Sequence, residues 1–152
     1  MVADVALLRA ATLVDAAAIA ELATQLGYPV TADVMAARLE NLPYDTEAVM
    51  VATIAGVVRA WMQVGVAQSI ESEPFAEIRG LVVDANLRGS GLGSQLVAFA
   101  KSWAMTKQVS SLRVRSNVVR TATHAFYEQR GFSVSKSQKV FSFALPQSAQ
   151  SD

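Results

Sequence analysis

The 152-residue chain contains no cysteine. That excludes a disulfide framework, a thiolate metal site and a cysteine nucleophile together. Histidine is almost as scarce: His124 is the one present, and zinc sites built from several histidines cannot form from it. Neither sign of charge is in excess. Thirteen Lys and Arg residues balance thirteen Asp and Glu, so no electrostatic footprint for nucleic acid or an anionic membrane stands out. Long apolar runs are missing as well. The most apolar stretch, AVMVATIAGVV (48–58), ends at Arg59, well short of the roughly 20 residues that span a bilayer. The stretch MVADVALLRAATLVD lacks a basic segment and carries Asp4 and Arg9 among its apolar residues, unlike a secretory signal. A cytoplasmic location is therefore expected. What is present, 52% hydrophobic and 17% charged residues, suits one folded domain with a sizeable core.

Periodicity divides the chain into short elements. DVALLRA (4–10) reads as a strand, and TLVD (12–15) is a Thr-x-x-Asp helix start. Ile19, Leu22, Ala23 and Leu26 then recur with the period of one buried helical stripe, stopped by Gly27 and Pro29. Thr31 caps a second helix that turns Met35, Leu39 and Leu42 inward before Pro43. Residues 47–54 and 57–67 are predicted to form a hairpin about Gly56, and a third strand runs from Phe75 to Val83. A helix with Leu92, Leu96, Phe99 and Trp103 inside follows, then a strand at 110–116 and a helix at 119–130 closed by Gly131. Two closing strands are expected at 132–135 and 138–145, the second with Phe141, Phe143 and Leu145 on one side. The order β-α-α-β-β-β-α-β-α-β-β describes one α/β domain with a mixed sheet over residues 1–146, and a frayed polar tail at 147–152.

Between the third strand and the following helix stands NLRGSGLGSQL (86–96). It is not a dinucleotide fingerprint: counted from Gly89, the third glycine position is Ser94. It is not a P-loop either, because Gly93 is followed by Ser and Gln. Two readings remain. The loop is an ordinary glycine-rich turn, or it is a pyrophosphate cradle. In the second case glycines admit the anion to backbone N–H groups, the helix start adds its dipole, and Arg88 adds a charge-assisted contact.

LVVDANLRGSGLGSQLVAFAKSWA (81–104) resembles the acyl-CoA-binding motif of the GNAT N-acetyltransferases, Gln/Arg-x-x-Gly-x-Gly/Ala, with Arg88, Gly91 and Gly93 in its three positions. HAFYEQRGF (124–132) resembles a second segment of the same family. The resemblance implies the family's α/β fold, acetyl-CoA as co-substrate, no metal, and attack of a primary amine on the thioester without an acyl-enzyme. It also implies the site. Arg88, Gly89, Ser90, Gly91, Leu92, Gly93 and Ser94 would hold the pyrophosphate. Leu81, Val82 and Val83 would take the pantetheine arm as an added strand, with the backbone N–H near Val83 polarising the thioester carbonyl.

By the same resemblance Tyr127 is the acid for the leaving thiolate, with aromatic packing beside Phe126 and Phe132 as the alternative. Glu77, eleven residues before Arg88, stands where one branch of the family has its general base; a water, or a plain strand carboxylate, is the other reading. Unbroken alternation would set Glu77, Arg79, Leu81 and Val83 on one strand face. Two departures appear. Where many relatives place a pantetheine-contacting asparagine this chain has Arg120, with Asn117 as a substitute. Arg79 stands beside the candidate base, where it either weakens it or, with Arg113 or Arg115, grips an acidic group of the acceptor. His124 is expected to be structural, and Tyr28 and Tyr44 either line the acceptor pocket or pack. The expected partner is a small-molecule amine, with a homodimer through the last strands open to the chain. A peptide or protein acceptor, or a silent coenzyme A-binding module, are the competing functions.

Overall fold

A computed structural model describes residues 5–115 and 121–147. The chain divides into two compact units, Met1–Arg115 and Ser116–Asp152. In the first, β1 (Leu7–Ala10) leads through a short 3-10 turn (Leu13–Asp15) into α1 (Ala16–Gln25) and α2 (Ala32–Glu40). Next come β2 (Glu47–Ile54), β3 (Val57–Ser69), β4 (Ser72–Val83), α3 (Leu92–Thr106) and β5 (Leu112–Val114). The sheet runs in sequence order, β1 to β5. Its first four strands are antiparallel neighbours and β5 joins β4 in parallel. The helix α3 supplies the crossover that a parallel pair requires.

The helix starts follow their sequence signals. Asp15, buried, accepts from the Thr12 N–H at 2.8 Å and from both Arg9 terminal nitrogens at 2.7 and 2.8 Å. The Arg9 guanidinium holds its carboxyl below the ordinary value, against the opposing cost of burial. Thr31 Oγ1 accepts from the Val34 N–H at 3.2 Å and caps α2.

Strand register fixes the two faces. Val51 stands opposite Trp61 and Met50 opposite Met62, so alternate residues face opposite layers. Val49, Val51 and Trp61 pack with Ile19, Leu39 and Met35 of α1 and α2. Helix α3 lies against β2 to β5 and buries Leu92, Leu96, Val97, Ala100 and Ala104.

Alternation fails in β4. Val64 pairs with Ile78 and Gln63 with Gly80, which leaves Arg79 as the extra residue of a bulge. The bulge overturns the expected grouping. Leu81, opposite Met62, shares a face with Ile78, whereas Glu77, opposite Gly65, belongs to the face of Trp61 and Gln63.

In the second unit α4 (Thr121–Gln129) is followed by Gly131 at φ 92°, where the helix was expected to stop. The two closing strands do not form: residues 132–147 carry no strand, and Phe141, Phe143 and Leu145 are exposed. Alternation alone cannot supply the hydrogen-bonded neighbour a strand needs. Among the described residues no helix is long and apolar enough to cross a membrane.

The β2–β3 hairpin turns at Ala55 (φ 51°) and Gly56 (φ 78°), a two-residue loop with both φ positive. An alanine in the left-handed region costs about 1 kcal/mol. Ala55→Asn is therefore expected to raise stability by ~0.5–1 kcal/mol, read as a higher urea midpoint at unchanged m-value.

Candidate active site

The glycine loop is built from its first residue. Asp84, buried at the end of β4, donates its N–H to the Arg59 carbonyl at 2.8 Å. Its carboxylate accepts from the Asn86 N–H at 3.0 Å and pairs with the Arg59 guanidinium at 3.2 Å. Gln25, the last residue of α1, accepts from the Ala85 N–H at 3.1 Å. One turn of 3-10 helix (Ala85–Leu87) then delivers Arg88, exposed, to the mouth of the loop. Gly89 and Gly91 both lie in the left-handed region, at φ 83° and 93°, and a Cβ on either would meet nothing within 4 Å. Their need for glycine is thus conformational, and the space beside them is open. Gly91 is the N-cap of α3, so the first N–H groups of that 15-residue helix are presented at the loop. Leu92 and Gly93 are buried beneath it and Ser94 is half-buried.

Leu81, Val82 and Val83 form the strand segment entering this loop. Val82 is buried; Leu81 and Val83 are half-buried. Pairing of β5 with β4 runs from Ala76 to Ile78, upstream of that segment.

At the other end of β4 a row of charge crosses the sheet. Glu77, 9% exposed, accepts from Arg79 Nη1 at 2.9 Å and lies 3.1 Å from Arg115 Nε. Arg79 is clasped on its other side by Glu47, Nε to Oε1 at 2.8 Å and Nη2 to Oε2 at 3.0 Å. Glu47 Oε1 also accepts from Gln63 Nε2 at 2.8 Å. Glu47, 6% exposed, is the best-shielded member, and its hydrogen bonds keep the Arg79 guanidinium above its usual pKa. It fits because it faces Gly65: a Cβ there would overlap the Glu47 carboxylate. Arg113, paired with Glu77 in the strand register, stacks its guanidinium on Phe75 at 3.8 Å. Beside the row, a cavity of about 620 Å³ opens between α2 and the sheet, lined by Met35, Arg38, Leu39, Trp61 and Gln63 among others.

Glu77 pairs with Arg79 although the bulge breaks the alternation expected to align them, and of the two strand arginines, Arg113 or Arg115, it is Arg115 that reaches Glu77; Glu47 was not foreseen. The signal was a carboxylate in the inward phase of EAVMVATI, in step with Val49 and Val51. Asp84 was missed for a similar reason, as a lone acid ending an apolar strand. Tyr28 is 62% exposed and does not line the cavity. The Tyr44 hydroxyl donates to the Leu39 carbonyl near the end of α2, and burial raises its pKa. Asn117 and Arg120 lie outside the described residues.

In the second unit Tyr127 is 9% exposed, with edge-on contacts to Phe126 at 5.0 Å and Phe132 at 5.4 Å between ring centres. Burial pushes its phenol up to about 12, so it is protonated throughout the neutral range. His124 is half-buried on the same helix. Among the described residues no group of three metal-ligating side chains converges.

Glu47→Ala removes the bidentate partner of Arg79, leaving it Glu77 alone, and is expected to cost ~2 kcal/mol, less than the ~3–5 of a fully buried pair because Arg79 is partly hydrated. Gly65→Ala should cost a similar amount in the wild type but little in the Glu47→Ala background, a coupling that a double-mutant cycle in urea measures. For Tyr127 the folded pKa lies above the unfolded one. Its stabilising contribution is complete below about pH 10 and lost as pH rises toward about 12. The phenolate absorbance that disappears in Tyr127→Phe should titrate in that late range.

Comparison with known proteins agrees with this arrangement of strand, glycine loop and helix. The N-acetylaspartate synthetase of Xenopus tropicalis is 31% identical over 85 residues, 56% of this chain and 29% of that protein. The chain thus spans under a third of that relative's length. Glucosamine-6-phosphate N-acetyltransferase from Arabidopsis thaliana superimposes with a TM-score of 0.78 at 22% identity, over 93% of this chain and 100% of that one. An aminoglycoside N-acetyltransferase bound to a coenzyme A bisubstrate analogue gives 0.79 at 18% identity, over 92% and 99%. These likenesses establish the fold. The model of the acetyltransferase (GNAT) family matches residues 15–132, which include both the glycine loop and the Tyr127 helix. On that match the chain belongs to the acetyltransferase (GNAT) family.

Proposed function

We propose that the chain transfers acetyl from acetyl-CoA to the primary amine of a small molecule, by direct attack of the amine on the thioester, with residues 1–146 as the catalytic domain. The observation that carries the reading is the loop: two left-handed glycines with open space beside them, leading into the N-terminus of α3 with Arg88 at the mouth. That combination suits a pyrophosphate. Arg88, Gly89, Ser90, Gly91, Leu92, Gly93 and Ser94 would hold it, and Leu81 to Val83, with Asn117 or Arg120, would hold the pantetheine arm. Bound there, acetyl-CoA supplies an activated carbonyl. The chain's own residues orient the acceptor and move protons. Glu77, directly or through a water, takes the ammonium proton. Tyr127, protonated at neutral pH, donates to the departing sulfur. A phenol held near 12 gives up its proton reluctantly, so its contribution is chiefly a hydrogen bond that stabilises the thiolate.

The similar proteins are named for different acceptors, from glucosamine 6-phosphate to aminoglycosides, so the acceptor must be chosen by this chain's own pocket. Calorimetry with acetyl-CoA tests the cradle. Wild type should bind in the micromolar range, and Gly91→Asp with Arg88→Ala should lose that binding. Tyr127→Phe should bind normally and lose about 100-fold in kcat. Well-folded wild type that fails to bind acetyl-CoA would overturn the reading.

A further inference from the structure

We propose that the acceptor is an amine that also carries an anionic group, a carboxylate or a phosphate, and that Arg115 and Arg113 receive that group beside Glu77. This rests on the transferase reading and specifies its substrate class.

The charge around Glu77 does not close. Two carboxylates, Glu47 and Glu77, are ion-paired with Arg79 and Arg115, and Arg113, opposite Glu77 in the strand register and over the Phe75 ring, adds a third guanidinium nearby. A site with one positive charge in excess gives no net attraction to a bare ammonium, but it does attract one tethered to an anion. Nor are the three arginines equivalent. Arg79 is the obvious candidate from sequence, yet its Nε and Nη2 are on Glu47 and its Nη1 is on Glu77. Glu47 therefore consumes it. Arg115 has the opposite character. Its side chain is 74% exposed and pairs with Glu77 through Nε, and among the described residues its two terminal nitrogens make no hydrogen bond or ion pair. Arg113, half-buried, lies over the Phe75 ring at 3.8 Å, a contact made through the guanidinium face that does not use up its N–H donors.

The arrangement couples binding to chemistry. An incoming anion competes with Glu77 for Arg115, and the exposed arginine can follow it at little cost. Glu77 Oε2, released, then takes a proton from the acceptor ammonium. The neutral nitrogen attacks the thioester carbonyl carbon and a C–N bond forms. The C–S bond breaks, its electron pair leaves on sulfur, and sulfur ends protonated as the amide nitrogen gives up its second proton. Glu77 returns the first proton to solvent.

The test compares kcat/KM, referred to free amine, within matched pairs: β-alanine against β-alaninamide, and phosphoethanolamine against ethanolamine. The anionic member of at least one pair should be preferred about tenfold or more, carried by KM. The pair with the larger ratio identifies the anion. Arg115→Ala and Arg113→Ala should each bring that ratio toward one, and Arg115→Lys should recover part of it. Acetylation of both members alike by the wild type overturns the inference and leaves the transferase reading standing. A ratio untouched by either alanine variant also overturns it. Acetylation of no amine by a chain that binds acetyl-CoA overturns both.

Discussion

A carboxylate set into the face of a β-sheet is costly to desolvate, and Glu47 is stabilised there by one partner above all. The bidentate clasp on Arg79 links the start of β2 to β4 across β3, and β3 has a glycine where the carboxylate lies. The bulge makes this possible. By inserting Arg79 as an extra residue, β4 turns an arginine onto the face that Glu47 occupies while keeping Ile78 and Leu81 in the apolar layer opposite. Everything on the acid–base side of the site inherits its position from that arrangement. Glu77 meets Arg79 on one oxygen and Arg115 on the other, so the electrostatics of the candidate base are set by a residue two strands away.

The same strand leads into the glycine loop at its other end. Val83 runs into Asp84, whose hydrogen bonds to Arg59 and Asn86 fix where the chain leaves the sheet. Arg59 is itself the extra residue of an irregularity in β3, and Gln25 ties the loop to α1. Nothing crowds Gly89 and Gly91, and α3 anchors their exit through the buried Leu92 and Leu96. A rigid strand with a specialised group at each end suits a reaction that demands positioning more than covalent chemistry.

Much of this was legible in the amino-acid order. Helix starts at Thr12 and Thr31, the hairpin about Gly56, and the left-handed stops all follow from local physics: side-chain caps, the steric freedom of glycine, and the 3.6- and 2-residue periods. The glycine loop was legible because a left-handed backbone demands glycine, and Gly89 and Gly91 both lie there. Tyr127 stood out only because its contiguous segment resembles a known one, and the structure shows it buried.

What the sequence by itself determined was therefore local: which residues turn, which faces are apolar, and where glycines open the backbone between β4 and α3. Tertiary structure alone decided the rest. Glu47 and Arg79 are 32 residues apart, and no local pattern announces that they will meet, since strand register is fixed by the whole apolar face of the sheet. The bulge at Arg79 moved Leu81 to the face opposite Glu77, a one-residue slip that periodicity cannot foresee. The alternation at 138–145 fell short for the complementary reason. A strand exists only when a second backbone satisfies its N–H and C=O groups, and that partner is a property of the fold rather than of the segment.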